Sequence, residues 1–286
     1  MEQAVTGGEP WGMAENRKNE TVLVTAATGK TGRRVAERLR ALGRDVRAGS
    51  RSGDVRFDWE DESTWAPALH GADAAYIAYH PDLAAPGAPG AMRGFGRLAA
   101  EAGVGHLVLL SGRGEPQAQV AEAALRESGV ALSVVRASFF AQNFTEGALA
   151  GSVAAGEIAF PAGGTAEPFI DAEDVADVVA AVLCEAAHAG QVHEVTGPRS
   201  LTFEEAALEI GRAAGQEVRY VPVSVPQYAR LLGEYGMPAA EAGWLADLFA
   251  MLLDGHNTTP TDGVRRVLGR EPRDFTDFVK EAVQDA

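Results

Sequence analysis

A glycine-spaced turn near the start of the chain is the segment whose residues most directly imply chemistry. The run from Val22 to Gly32 reads VLVTAATGKTG, which places Ala26, Gly29 and Gly32 at three-residue intervals after an apolar stretch. In a dinucleotide-binding fingerprint, three glycines allow a tight turn, a close approach to pyrophosphate and close packing of helix on strand. Gly29 and Gly32 can fill the second and third roles, with backbone N–H groups facing phosphate at a helix N-terminus.

Ala26 stands where the fingerprint has its first glycine. An alanine held at positive φ costs about 1 kcal/mol. The turn therefore predicts a dinucleotide site by its context between strand and helix, and a similar turn that holds no nucleotide stays open as the alternative.

The residues after the second predicted strand favour NADP(H) over NAD(H). The run AGSRS ends this strand without a carboxylate, and the first acid is Asp54. An acid at this place bonds the ribose 2′-hydroxyl in NAD sites, whereas an arginine binds a 2′-phosphate. Arg51 is placed for that contact, with Arg33 on the other side of the phosphate and Lys30 nearby, unless these are solvated surface cations. Asp58 follows the third strand, where it can meet the adenine amino group.

The predicted cofactor residues share a position in the turn or at the carboxyl end of a strand. They are Thr25, Ala26, Thr28, Gly29, Lys30, Thr31, Gly32, Arg33, Ser50, Arg51, Asp58, Ala78, Tyr79 and Ser111.

Strands and helices alternate through the first half of the chain. This alternation predicts an α/β fold, a Rossmann-type doubly wound parallel sheet covered on both faces. The predicted strands are Thr21–Thr25, Asp45–Gly49, Val55–Asp58, Ala74–Ala78, His106–Leu110, Ala131–Arg136 and Gln191–Thr196. The predicted helices of this part are Thr31–Leu42, Ala91–Ala102, Gln117–Glu127 and Asp171–Ala186.

The second half is less regular and predicts a smaller, mostly helical substrate lobe. Residues 151–168 are rich in Gly, Ala and Pro and indicate a loop with at most one short strand. We expect a flexible extension over 1–19, a cofactor-binding core over 20–155 to which 171–196 return, and the lobe over 156–286. Its predicted helices are Thr202–Ala214, Val225–Tyr235, Ala239–Leu253 and Asp274–Asp285.

Five separated elements together resemble a known family. TAATGKTG before GSR resembles the first turn of the NmrA-like group of atypical short-chain dehydrogenases. The further elements are LLSG at 109–112, VRASFFAQNF at 135–144, FIDAEDVA at 169–176, and VTGP with LT at 195–202. Within the group, the chain is most similar to bacterial relatives of the ergot alkaloid reductases of the festuclavine and agroclavine type. The resemblance implies NADPH-dependent reduction of a C=C, C=N or C=O bond in a small aromatic or polycyclic compound.

The usual catalytic pair of short-chain dehydrogenases is missing, because the helix Gln117–Glu127 contains neither tyrosine nor lysine. Hydride positioning alone, or another proton donor, must then suffice. Tyr79, His80 and Ser111 follow strands and are the candidate catalytic residues, although a stacking ring, a turn residue and a cap explain them as well.

Aromatic residues predict where a hydrophobic substrate binds. Those placed after the sixth strand are Phe139, Phe140 and Phe144, with Asn143 beside them; core packing explains the rings equally well. Possible lid residues, or else core or dimer contacts, are Tyr228, Tyr235, Trp244 and Met251.

Bulk composition excludes several classes of protein. The formal net charge of -15 disfavours nucleic acid and anionic membranes. The absence of a long apolar run or an apolar leader, together with the single Cys184 (expected to be a buried small hydrophobe), predicts a cytoplasmic protein without a cysteine-built metal site. Met13 is an alternative start. We expect a monomer or homodimer acting on a small molecule, with an NADP-binding redox sensor or a cofactor-independent cyclase or isomerase as rivals.

Overall fold

The structure is a computed structural model that describes residues 20–53, 55–147 and 149–284. The predicted extension 1–19, with Met13, and Asp54 lie outside the described residues. The strands are β1 (Thr21–Val24), β2 (Asp45–Ser50), β3 (Val55–Arg56), β4 (Ala74–Ile77), β5 (His106–Gly112), β6 (Ala131–Ala137), β7 (Glu157–Phe160), β8 (Ala166–Glu167), β9 (Val192–Val195), β10 (Leu201–Thr202) and β11 (Arg219–Pro222). The helices are α1 (Gly32–Ala41), α2 (Trp65–Leu69), α3 (Ala88–Glu101), α4 (Pro116–Arg126), α5 (Ala150–Ala154), α6 (Ala172–Cys184), α7 (Phe203–Ala214), α8 (Val225–Glu234), α9 (Ala239–Leu252), α10 (Gly263–Leu268) and α11 (Phe275–Gln284).

Within the described part of the chain, the main sheet has seven strands in the order β3-β2-β1-β4-β5-β6-β9. Every pairing in it is parallel. One face packs against α1 and α6, and the other against α2, α3 and α4. The predicted doubly wound fold is confirmed. No described helix has the length and apolar character that crossing a bilayer requires.

Side-chain caps fix the starts of two helices. Asp171 caps α6, its side chain accepting a hydrogen bond from Glu173 N at 2.8 Å. Thr202 and Glu205 form a reciprocal capping box at the start of α7. Cys184 ends α6, partly buried against the core. These caps work because they satisfy backbone N–H groups that the first helical turn leaves free.

The prediction for residues 151–168 is wrong. This stretch contains the end of α5 and the strands β7 and β8. β7 pairs with β11 in parallel, and β8 pairs with β10 in antiparallel fashion. Because both partners lie far along the chain, the local sequence carries no signal for these pairings.

A third hydrophobic cluster lies outside the sheet and is built largely of phenylalanines from the second half of the chain. Its fully or nearly fully buried rings are Phe144, Phe160, Phe169, Phe203, Phe275 and Phe278. The cluster supports the smaller lobe, and we propose residues 156–286 as its extent. Residues 263–268, however, form α10, which packs on α6 and β9 of the core.

Candidate active site

The turn between β1 and α1 has the tight geometry of a nucleotide-binding turn. Ala26 adopts a φ of 49°, the left-handed conformation for which the fingerprint uses glycine. Gly29 N donates to Ala26 O at 2.8 Å and closes the turn. A Cβ atom on Gly32 would lie 2.2 Å from Ala26 O, so only glycine lets α1 begin this close to the turn.

Two buried threonines attach this turn to β4. Thr25 Oγ1 accepts a hydrogen bond from Ala78 N at 2.9 Å, and Thr31 Oγ1 accepts one from the Tyr76 hydroxyl at 2.9 Å. Both threonines are almost fully buried. Among the predicted cofactor residues, Thr25 and Thr31 therefore act through their side chains to hold the turn in place.

A cavity of about 170 Å³ lies beside the turn. Its lining residues are Ala26, Thr28, Gly29, Ser50, Arg51, Phe57, Asp58, Trp59, Glu60 and His80. Ser50 Oγ is buried here without a hydrogen-bond partner, and Arg51 is exposed at the rim. The turn at Gly29, the unsatisfied hydroxyl of Ser50 and the guanidinium of Arg51 fit the adenosine end of a dinucleotide that carries a 2′-phosphate.

The structure does not bring the other two predicted cations to this cavity. Arg33 forms an ion pair with Glu146 and does not line this cavity. Lys30 Nζ donates a hydrogen bond to Asn143 Oδ1, and burial lowers the pKa of its ammonium group. Of the three predicted cations, Arg51 therefore remains as the proposed 2′-phosphate ligand, while Lys30 joins the turn to the segment that follows β6.

A larger cavity of about 250 Å³ opens at the carboxyl ends of β5 and β6. Its wall combines residues after the strands with residues from the lobe: Tyr79, Pro81, Asp82, Leu83, Leu110, Ser111, Gly112, Arg113, Glu115, Ala137, Ser138, Phe139, Phe140, Asn143, Glu167, Phe249, Leu252, Leu253 and Asn257. Ligands of open α/β sheets bind at this edge. The cavity is therefore the candidate substrate site.

Three of the four predicted substrate residues line this cavity, namely Phe139, Phe140 and Asn143. Phe144 does not, because it is fully buried in the aromatic cluster of the lobe, 5.3 Å from the Phe169 ring and 5.7 Å from the Phe275 ring. Of the two interpretations of Phe144, substrate contact and core packing, the structure supports core packing.

Acidic side chains in the same wall have unusual surroundings. Burial, with the neighbouring carboxyls of Asp82 and Glu122, raises the pKa of Glu115 to about 8. Burial also raises the pKa of Glu167 to about 7 and that of Asp82 above its usual range. One oxygen of Glu115 and one of Glu167 are buried without a hydrogen-bond partner.

Comparison with known proteins places the chain in a family. No model of a known protein family matches this chain, and the family is shown by individual relatives. An NAD(P)H azoreductase from Xenophilus azovorans is 31% identical over 91% of this chain and 96% of its own length. Agroclavine dehydrogenase from Claviceps fusiformis is 30% identical, with the same shares of the two chains.

The chain belongs to the NmrA-like, atypical short-chain dehydrogenase family of NAD(P)H-dependent reductases. The predicted resemblance is confirmed. The NADPH-dependent quinone oxidoreductase from Escherichia coli, solved with NADPH, shares the fold at a TM-score of 0.73 and 22% identity, covering 91% of this chain and 99% of its own.

Within this NmrA-like fold, the three candidate catalytic residues have different surroundings. Ser111 Oγ donates to Glu122 Oε1 at 2.7 Å and is buried, so it is held by a structural partner. The Tyr79 ring packs 5.1 Å from Trp59, and burial raises the pKa of its hydroxyl. His80 is exposed and borders the cavity beside the turn, not the larger one.

The predicted lid residues are not in the wall of the larger cavity within the described chain. Tyr228 is buried and Tyr235 is exposed, while Trp244 and Met251 are partly buried on α9. Phe249 and Leu252 of the same helix line the cavity instead. Sequence spacing identifies α9 but not which of its faces meets the site.

Sequence reasoning also missed the acidic residues of the wall. Glu115 stands four positions after Ser111, just beyond the carboxyl end of β5, so the position that indicated Ser111 could have indicated it. Glu167 offers no such signal, because it reaches the cavity through the pairing of β8 with the distant β10.

Proposed function

We propose that this reductase uses NADP(H) to reduce a C=N, C=C or C=O bond in a small hydrophobic or polycyclic compound. The observation that most supports this proposal is the cavity at the ends of β5 and β6, whose wall includes Phe139, Phe140 and Phe249. Aromatic and aliphatic walls at this edge of the sheet suit a flat apolar substrate. The Lys30–Asn143 hydrogen bond connects this cavity to the nucleotide turn.

The residues that would hold the cofactor are those of the turn and of the end of β2. Backbone N–H groups from Gly29 to Thr31 would bind pyrophosphate, and Arg51 would bind the 2′-phosphate. The buried hydroxyl of Ser50 would gain a partner there, and Asp58 borders the same cavity. When bound, the dinucleotide supplies a hydride.

The chain's own residues act mainly by positioning. Phe139 and Phe140 limit the substrate to one apolar slot and exclude water from it. Since effective positioning can contribute several kcal/mol to catalysis, a reductase without the tyrosine–lysine pair remains chemically reasonable. The names of the relatives, an azoreductase and a dehydrogenase, support a redox reaction with a nicotinamide cofactor.

A redox sensor that binds NADP(H) without turnover is the second candidate. The missing tyrosine–lysine pair favours it, whereas a sensor has no need of a second, aromatic cavity. The cyclase or isomerase alternative loses its main ground, because Ala26 adopts the left-handed conformation of the glycine it replaces.

The test is turnover by the purified full-length protein. NADPH oxidation is followed by absorbance with quinones, iminium salts and enones as acceptors. Oxidation that depends on the acceptor supports the proposal, and binding of NADPH without oxidation across the panel supports the sensor. Cytoplasmic location and a monomeric or homodimeric state stay predictions.

A further inference from the structure

We infer that Glu115 is the proton donor of this reductase, supplying from the cavity wall the proton that the missing tyrosine supplies in other short-chain dehydrogenases. This inference rests on the proposed function. It starts from a buried carboxyl group that lines the substrate cavity and has an oxygen without a hydrogen-bond partner.

The position of the Glu115 carboxyl depends on a glycine at the end of β5. A Cβ atom on Gly112 would lie 1.9 Å from Glu115 Oε1 and 2.0 Å from its Cδ. The carboxyl thus occupies the space that a side chain at position 112 would fill. The absence of a side chain at Gly112 therefore leaves room for the acid at the strand end, where substrates of open α/β sheets bind.

The charges around Glu115 favour its neutral form. Asp82, in the loop after β4, and Glu122, on α4, are the charged groups that perturb it, and both are acids. Glu122 accepts two hydrogen bonds from the Arg136 guanidinium, at 2.9 and 2.7 Å, which offset part but not all of its effect on Glu115. Glu115 precedes α4, but its side chain makes no capping hydrogen bond that would stabilise a carboxylate.

Glu167, the other buried acid of the wall, has basic neighbours where Glu115 has acidic ones. Burial raises the pKa of Glu167 to about 7, but a hydrogen bond from Phe139 N at 3.3 Å and the nearby Arg113 and His256 act against that rise. Donors and cations stabilise a carboxylate, whereas Glu115 has neighbouring acids. The surroundings of Glu115 thus favour the protonated form more than those of Glu167 do, and Glu115 is assigned as the acid.

The chemistry balances with one proton from this residue. A hydride from the reduced dinucleotide adds two electrons and one hydrogen to one atom of a neutral C=N or C=O bond. The Glu115 O–H proton goes to the nitrogen or oxygen, so the substrate gains two hydrogens. Donation would leave Glu115 ionised, and a proton from water would restore the acid; the two electrons would come from the reduced dinucleotide, which would become oxidised.

The first test needs no cofactor. Infrared spectra of the cofactor-free protein are recorded from about pH 5 to about pH 9, and the C=O stretch of a protonated carboxyl is compared between wild type and Glu115→Gln. We expect a band that Glu115→Gln lacks, lost with a midpoint near the pKa of about 8. The matched variant Glu167→Gln should keep that band. Identical wild-type and Glu115→Gln spectra at every pH would overturn the inference.

The second test uses two acceptors that differ in their need for a proton. Dihydroisoquinoline is a neutral imine above neutral pH, and N-methyldihydroisoquinolinium accepts hydride alone. Glu115→Gln should lower the ratio of kcat/KM for the neutral to the cationic acceptor by about 10²-fold or more. Gly112→Ala, which displaces the carboxyl while keeping the glutamate, should lower the same ratio.

The outcomes separate the two proposals. An unchanged ratio in Glu115→Gln, with both acceptors still reduced, overturns the proton-donor role and leaves the reductase intact. A wild-type protein that binds NADPH and reduces neither these acceptors nor the wider panel overturns the proposed function itself, and the donor role with it. Thermal melting of each variant checks that it is folded.

Discussion

Substitution of Gly32 by alanine tests the geometry of the nucleotide turn. A Cβ atom at this position would meet three backbone atoms, lying 2.2 Å from Ala26 O, 2.8 Å from Ala26 C and 3.0 Å from Ala27 Cα. Backbone atoms cannot rotate away as a side chain would. The turn or the first residues of α1 must therefore move.

The cost of this movement resembles that of an overpacked core. An added methyl group in a packed core costs about 1–3 kcal/mol and occasionally more. A clash with backbone atoms belongs at the upper end of this range, about 3 kcal/mol. At roughly 2–4 °C per kcal/mol, the melting temperature should fall by roughly 6–12 °C. NADPH affinity should fall at least about tenfold, because the displaced amides lose their aim at the pyrophosphate.

Gly90→Ala is the matched control for this experiment. Gly90 lies within α3, and a Cβ there would meet no atom within 4 Å. Alanine should stabilise this helix by about 0.5–1 kcal/mol. Calorimetric melting and NADPH titration of both variants decide the matter. A Gly32→Ala protein that melts and binds NADPH like wild type would refute the close approach.

Three further predictions concern stability. Ala26→Gly should raise the free energy of unfolding by about 0.5–1 kcal/mol in urea titrations, because glycine adopts positive φ without strain; a loss of stability would contradict this. Asp174→Ala should cost about 2–4 kcal/mol, since its fully buried carboxylate binds Arg270 at 2.6 Å and Arg273 N at 2.7 Å, whereas the exposed Glu37→Ala should cost under about 0.5 kcal/mol. The raised pKa of Glu115 means that the folded state holds its proton more tightly than the unfolded chain, so its contribution is complete below about pH 4.5 and is lost as pH rises through about 8. Wild type should therefore lose stability relative to Glu115→Gln by roughly 1.4 kcal/mol per pH unit in that window, and parallel curves would contradict the pKa.

The sheet of the core could be predicted because its signals are local. Apolar runs such as TVLV show the pattern of a buried strand in their own sequence. A helix such as α1, which begins at Gly32 and is followed by Gly43, shows helical periodicity in its own sequence. The strands β7, β8, β10 and β11 could not be predicted in this way. They pair across long stretches of chain, and only tertiary packing brings them together.

The same distinction between local and distant contacts decides which parts of the site could be predicted. The turn and the strand ends follow from the sequence, because parallel strands bring their carboxyl ends to one edge. The side-chain partners do not follow from it. Arg33 turns to Glu146, Ser111 to Glu122, and Phe144 to the lobe core, and each choice depends on residues distant in sequence.

The motif aspartate Asp174 shows how a family pattern acquires a physical reason. It lies in the first turn of α6 with no solvent exposure and binds the segment between α10 and α11, through the Arg270 guanidinium and the Arg273 backbone N–H. Its role in this structure is to fasten the C-terminal segment to the core.

Calorimetric titration with NADPH and NADH most directly tests the claim that the VLVTAATGKTG turn and Arg51 form an NADP(H) site. Wild type should bind NADPH more tightly than NADH. Arg51→Ala should weaken NADPH binding by about ten- to a hundredfold and leave NADH nearly unchanged, as expected for one charged hydrogen-bonding contact. Arg97→Ala, which removes an exposed arginine of α3, should change neither affinity. Failure of wild type to bind either dinucleotide, or an equal loss of both in Arg51→Ala, would contradict the claim.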